Sequence, residues 1–176
     1  MVINKIGEIG PFVNSMVIFD RDGTLSEDLG AMSGNSSCII LPHVFKGLRM
    51  ILNSQTSFAI ATNQSYIGRG ELTMKDVNDF NAKLMNALKS IGMEVNFIAI
   101  CPHRSDENCN CRKPKPGMIN ELVRLSGVLD KNRVFFVGDK DSDEQAACNA
   151  GVRGVNLQRV DFVGACKQIK NDLTQF

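Results

Sequence analysis

The chain has 176 residues, 43% hydrophobic and 22% charged, with a formal net charge of +1. That length supports one domain with a substantial core, so residues 1–176 read as a single unit. The near-neutral balance excludes the electrostatic footprint of a polyanion binder, and no nucleic-acid partner is expected.

No apolar stretch approaches the roughly 20 residues of a membrane span, so no membrane partner is expected. Residues 1–15 carry Lys5 and Glu8 but no continuous apolar h-region, so they read as a leader without a signal peptide. The first predicted strand is the apolar run over residues 16–20. The stretch over 30–37, rich in Gly, Ser and Asn, reads as a loop, and a helix follows over 44–53. A second strand is expected over 57–61 and a long helix over 73–91. In that helix Thr73 and Asp76 stand at capping-box spacing, and Val77, Phe80, Leu84, Leu88 and Ile91 repeat with a helical period. Strands over 95–100, 134–137 and 154–157 alternate with helices over 117–126, 142–150 and 162–172. Strands separated by helices imply an α/β fold, a mostly parallel sheet covered on both faces.

Chemistry-bearing residues fall behind four of those strands. Asp20-Arg21-Asp22-Gly23-Thr24 follows the first, and two carboxylates two residues apart suit a nucleophile, Asp20, with a general acid–base, Asp22. Thr62-Asn63-Gln64-Ser65 follows the second, where a hydroxyl and successive backbone N–H groups make a nest for phosphate. The third leads to Cys111-Arg112-Lys113-Pro114 and the fourth to Gly138-Asp139-Lys140, whose Asp139 is a hard oxygen ligand for Mg²⁺. An anionic nucleophile meeting a phosphate dianion needs such cations, because unit charges 4 Å apart interact by about 4 kcal/mol at an effective dielectric of 20.

Six cysteines are present, three of them crowded into residues 101–111 beside His103. Cys101, His103, Cys109 and Cys111 form C-x-H-x5-C-x-C, four N/S ligands for a closed tetrahedral structural Zn²⁺ site. Free thiols and a metal site belong to a reducing compartment, and the cytoplasm is expected.

In order and spacing, DRDGT, TNQS, CRKP and GDKDSD resemble the haloacid dehalogenase (HAD) superfamily of phosphatases. The resemblance implies a Rossmann-like fold with no large cap domain and a zinc-bound loop. Asp20 and Asp139 would hold Mg²⁺ by side chain and Asp22 by its main-chain carbonyl. Lys113 and Thr62 would stabilise the phosphoryl group, and Asp143 would orient metal waters or the lysine. Thr24, Asp28, Asn63, Gln64, Ser65, Arg112 and Lys140 are placed with the substrate.

The zinc loop with CRKPKPGM is similar to the branch holding histidinol-phosphate and D-glycero-D-manno-heptose-1,7-bisphosphate phosphatases. The segment ATNQSYIGRG and the GDK triplet lean to the heptose member. The resemblance therefore implies an enzyme acting on a small phosphorylated sugar, and a monomer is expected. Histidinol phosphate is the alternative substrate; a nucleic-acid 3′-phosphatase or a catalytically silent zinc module ranks lower. Tyr66 stands where the branch commonly has Gly, and Leu29-Gly30-Ala31 where it usually carries an aromatic.

Overall fold

The computed structural model describes residues 1–31 and 38–174, so most of the loop over 30–37 lies outside the described residues. The strands are β1 (Val2–Lys5), β2 (Ser15–Phe19), β3 (Thr56–Asn63), β4 (Phe97–Cys101), β5 (Val134–Gly138) and β6 (Arg153–Asn156). The helices are α1 (Val44–Ile51), α2 (Ser65–Gly68), α3 (Met74–Lys89), α4 (Gly117–Ser126), α5 (Asp141–Ala150) and α6 (Phe162–Thr174). They build the Rossmann-like HAD arrangement, a six-stranded sheet ordered β1-β4-β3-β2-β5-β6. All its pairings are parallel except β1 on β4.

Strand alternation sorts the core into two layers. Val17, Phe19, Ile60, Ile98, Phe135 and Val137 face α1, α3 and α6. Met16, Ile18, Ala59, Ala61, Val134 and Phe136 face Met118, Ile119 and Leu122 of α4 and Ala146, Ala147 and Ala150 of α5. Both faces being covered explains why β2, β4 and β5 are buried at every position and read as continuous apolar runs. The α3 N-terminus closes as expected: the Thr73 hydroxyl accepts from the Asp76 N–H at 3.2 Å, and the Asp76 carboxylate accepts from the Thr73 N–H at 2.8 Å.

One expectation is corrected. The chain before β2 is not merely a leader, because residues 2–5 form an antiparallel edge strand with Val2 opposite Ile100 and Lys5 opposite Phe97. Three half-buried residues and an exposed lysine carry too short a pattern to announce a strand; the pairing partner, more than 90 residues on, makes it one. The one-turn α2 was likewise not foreseen. No helix among the described residues is long and apolar enough to cross a membrane.

The order places β2 beside β5. From β2 the chain winds outward through β3 and β4, then returns to β5 and continues to β6 on the other side. Connections thus diverge between β2 and β5, and open α/β sheets place ligands in the crevice at the carboxyl ends of strands that part in this way.

Candidate active site

Asp20 and Asp139 leave the sheet at that divergence, just beyond β2 and β5, with the Asp20 N–H on the Val137 carbonyl at 2.8 Å. A polar cavity of about 330 Å³ opens above them. Its walls include Asp20, Asp22, Thr62 and Lys113 of the predicted chemistry. Asp28, Asn63, Gln64, Ser65, Arg112 and Lys140 of the predicted substrate group line it as well. Thr24 does not: it is buried, and its hydroxyl donates to Asp139 Oδ1 at 3.4 Å.

Lys113 lies at the centre of the buried charges. Its ammonium donates to Asp20 Oδ1 at 2.5 Å and pairs with Asp143 Oδ1 at 2.7 Å, all three side chains being almost inaccessible to solvent. Burial opposes the lysine charge, but the two carboxylates outweigh it and hold the ammonium above the usual lysine range. Burial pushes the Asp20 carboxyl up to about 6; Lys113 pulls against it, while Asp143 and Asp22 push with it. Asn63 clamps the main chain of Lys113 from both sides, donating to its carbonyl at 3.2 Å and accepting from its N–H at 3.1 Å. The Asn63 side chain therefore acts on the lysine loop.

Asp22 is held differently. The Arg21 guanidinium grips both of its oxygens at 2.9 Å, and Gln64 Nε2 donates to Oδ2 at 2.7 Å. The Thr62 hydroxyl donates to the same oxygen at 3.4 Å while accepting from Gln64 at 2.7 Å. On the rim, Lys140 Nζ reaches Asp28 at 3.3 Å, and Tyr66 carries Arg69 over its ring at 4.2 Å.

Carboxylate oxygens of Asp20, Asp139 and Asp143 lie within 4.8 Å of one another, a hard donor set of the size Mg²⁺ requires. The backbone is shaped around it. A Cβ on Gly23 (φ +84°) would stand closer than van der Waals contact to the Asp139 carboxylate, and one on Gly138 would strike the Asp143 side chain. The Asp143 carboxylate also accepts from the Lys140 N–H at 3.0 Å, which fixes it at the start of α5.

A second donor set lies behind the lysine loop. Cys101 Sγ stands 3.5 Å from His103 Nδ1 and 3.7 Å from Cys109 Sγ. Cys111 Sγ stands 3.2 Å from the same nitrogen and 3.5 Å from Cys109 Sγ. Ligands at about 2.3 Å (S) and 2.0–2.1 Å (N) from a tetrahedral centre are about 3.5–3.8 Å apart, so the quartet fits Zn²⁺. The sulfurs are too far apart for a disulfide. Burial pushes the Cys109 thiol up but the backbone N–H groups of Arg112 and Cys111 bring it below the usual range, whereas at Cys101 burial dominates and pushes the thiol up to about 12.

Arg21, Asn81 and the two close-packed glycines were given no role from the sequence, and Phe80 was read only as part of the apolar face of its helix. Arg21 carried no assigned role there, and only its placement against α3 gives it partners.

A buried carboxylate–lysine pair beside a cluster of hard oxygen donors, at the divergence point of a parallel sheet, is the arrangement of the HAD phosphatase class. The chain belongs to the Polynucleotide kinase 3 phosphatase family, whose model matches residues 15–169. The D-glycero-beta-D-manno-heptose-1,7-bisphosphate 7-phosphatase of Pseudomonas aeruginosa is 35% identical over 147 residues, 83% of this chain and 79% of that protein. The D,D-heptose 1.7-bisphosphate phosphatase from B. bronchiseptica, solved with magnesium and phosphate, superposes with a TM-score of 0.75 at 29% identity. That match covers 92% of this chain and 99% of the other. The histidine biosynthesis bifunctional protein HisB of Blochmanniella floridana is 32% identical over 85% of this chain, but the chain spans only 43% of that protein's length.

Proposed function

We propose that this protein is a Mg²⁺-dependent phosphatase that hydrolyses a small sugar phosphate, D-glycero-D-manno-heptose 1,7-bisphosphate being the favoured substrate. The observation that carries the reaction is the buried Asp20–Lys113 pair on the wall of a polar cavity. Likeness to heptose-bisphosphate phosphatases over most of both chains supports the substrate.

Asp20 attacks phosphorus in line. Its oxygen–phosphorus bond forms as the ester P–O bond breaks, and the leaving oxygen takes a proton from Asp22. Asp22 then removes a proton from the water that cleaves the aspartyl phosphate, restoring both carboxyl groups. Lys113 and Thr62 stabilise the charge on the transferring phosphoryl oxygens. Asp20 and Asp139, with the Asp22 carbonyl, would hold Mg²⁺, which when bound supplies further neutralisation of that charge. Zn²⁺ on Cys101, His103, Cys109 and Cys111 would have a structural role, pinning the loop that presents Arg112 and Lys113. Arg112, Lys140 and Asp28 on the cavity wall meet the remainder of the substrate.

Phosphate release from heptose 1,7-bisphosphate in both anomers, histidinol phosphate and a 3′-phosphorylated oligonucleotide tests this reading. Mg²⁺-dependent turnover of the heptose ester, abolished by EDTA and by Asp20→Asn, is expected. Preferential turnover of histidinol phosphate, which likeness to HisB favours, would replace the substrate and leave the mechanism. Turnover that survives Asp20→Asn would sink the mechanism.

A further inference from the structure

Among the fully buried side chains the largest is Arg21, 1% exposed, between the two carboxylates of the first motif. Neighbouring residues seldom face one another, yet Arg21 folds back onto Asp22. The chain turns sharply there, with the N–H groups of Thr24, Leu25 and Ser26 all directed at the Arg21 carbonyl. Nε and one Nη donate to the two oxygens of Asp22 at 2.9 Å each. The other Nη donates to Asn81 Oδ1 of α3 at 3.0 Å, and the guanidinium lies over the Phe80 ring at 4.5 Å. Asn81 in turn leaves its Nδ2 buried without a partner among the described residues.

We propose that Arg21 is the positioning residue for the proton donor Asp22, a planar clamp anchored on α3 that fixes the direction in which that carboxyl faces the leaving oxygen. The proposal rests on the phosphatase reading above. A buried ion pair is weak warrant for stability, since well-packed apolar side chains often do as well. Here the surroundings are arranged for geometry: a ring beneath the guanidinium, an amide turned to it with its nitrogen left unsatisfied, and a bidentate grip that sets the carboxylate plane. Proton transfer demands such control, because catalytic groups must be held to within about 0.5 Å and 10–20°. Gln64 supplies a further donor to Asp22 from the opposite segment but cannot set the plane alone.

Leaving-group dependence separates this role from a structural one. The full-length protein, loaded with Zn²⁺ and Mg²⁺, is assayed on a primary sugar phosphate and on acetyl phosphate, whose carboxylate departs without a proton. The readout is kcat/KM, which reports transfer to Asp20 and departure of the leaving group but not the later hydrolysis. Asp22→Asn is the reference. Arg21→Lys and Arg21→Met should lower kcat/KM on the sugar phosphate about 10²-fold and on acetyl phosphate less than about fivefold, the pattern of a lost general acid. Asn81→Ala, which keeps the guanidinium but loosens it, should show the same split to a smaller degree; it carries the test if the Arg21 variants fail to fold by circular dichroism. Equal losses on both substrates, or no loss on either, would overturn the positioning role and leave the phosphatase reading intact. Absence of Asp20-dependent turnover of either substrate by the wild-type protein would overturn both.

Discussion

Lys113 and Asp20 are 93 residues apart in sequence and share one hydrogen bond at the floor of the site. Removing the lysine leaves Asp20 and Asp143 buried with no cation between them. Lys113→Ala should therefore lose detectable phosphatase turnover and about 3–5 kcal/mol of stability, the usual cost of breaking a buried pair. Chemical denaturation of the metal-free variant beside wild type measures it; an unchanged midpoint would mean the carboxylates relax apart at little cost. Asp20 makes a second prediction. Its carboxyl rises from the ordinary 3.8 to about 6, so below about pH 6 the folded protein without metal holds a proton there that Mg²⁺ must displace. Mg²⁺ affinity should be flat above about pH 7 and fall about tenfold per pH unit below about 6, since one proton competes for the site. Titration calorimetry across that range gives the slope, and a pH-independent affinity between 5 and 7 would contradict it.

Two elements carry site residues on supports that the local sequence spells out. The α3 helix, whose Phe80 and Asn81 hold Arg21, starts from the Thr73–Asp76 cap. Thr73→Ala should destabilise the protein by about 1 kcal/mol and leave kcat unaltered, because the cap lies a full two turns from Asn81. The segment between β4 and α4 is short of regular structure, and on the proposed reading it takes its shape from a metal held by the Cys/His quartet. Stripping Zn²⁺ with a chelator, or Cys109→Ser, should lower the melting temperature and cut kcat/KM more than tenfold, since Arg112 and Lys113 directly follow Cys111. Zinc content, melting curves and kinetics on the same preparation test the coupling; full activity without zinc would show that Asn63 alone holds the lysine loop.

At the scale of the molecule, polar and charged groups that follow four strands converge because β5 returns to the flank of β2 after β3 and β4 have been laid down on the other side. β1 covers the outer edge of β4 and lies on the far side of the sheet from β5. Deleting residues 1–5 should lower the melting temperature and promote association through the uncovered strand, with kcat of the remaining monomer preserved. Light scattering with assay of the monomer fraction decides it; an unaltered melting temperature would reduce β1 to an ornament. Much of this architecture was legible beforehand. Parallel strands buried on both faces read as apolar runs, and each motif follows one of them, so the α/β class and the residues around the cavity could be named. β1 could not, because Val2-Ile3-Asn4-Lys5 has no apolar period of its own and is a strand only against Ile98 and Ile100.

What the residue order determined alone was chemistry that depends on spacing: the Asp20–Asp22 pair, the Thr73 cap, the quartet of Cys and His, and the register of apolar positions along α3. Such features need only a few consecutive residues and obey the periods of the backbone. What tertiary structure decided was where side chains point once distant segments meet. Thr24 turned from the cavity to Asp139, Asn63 took hold of Lys113, and Arg21 closed on Asp22 under Phe80 and Asn81. Those outcomes depend on which polar groups remain unpaired when the sheet and α3 come together. A buried donor or acceptor must find its partner wherever the fold has put one.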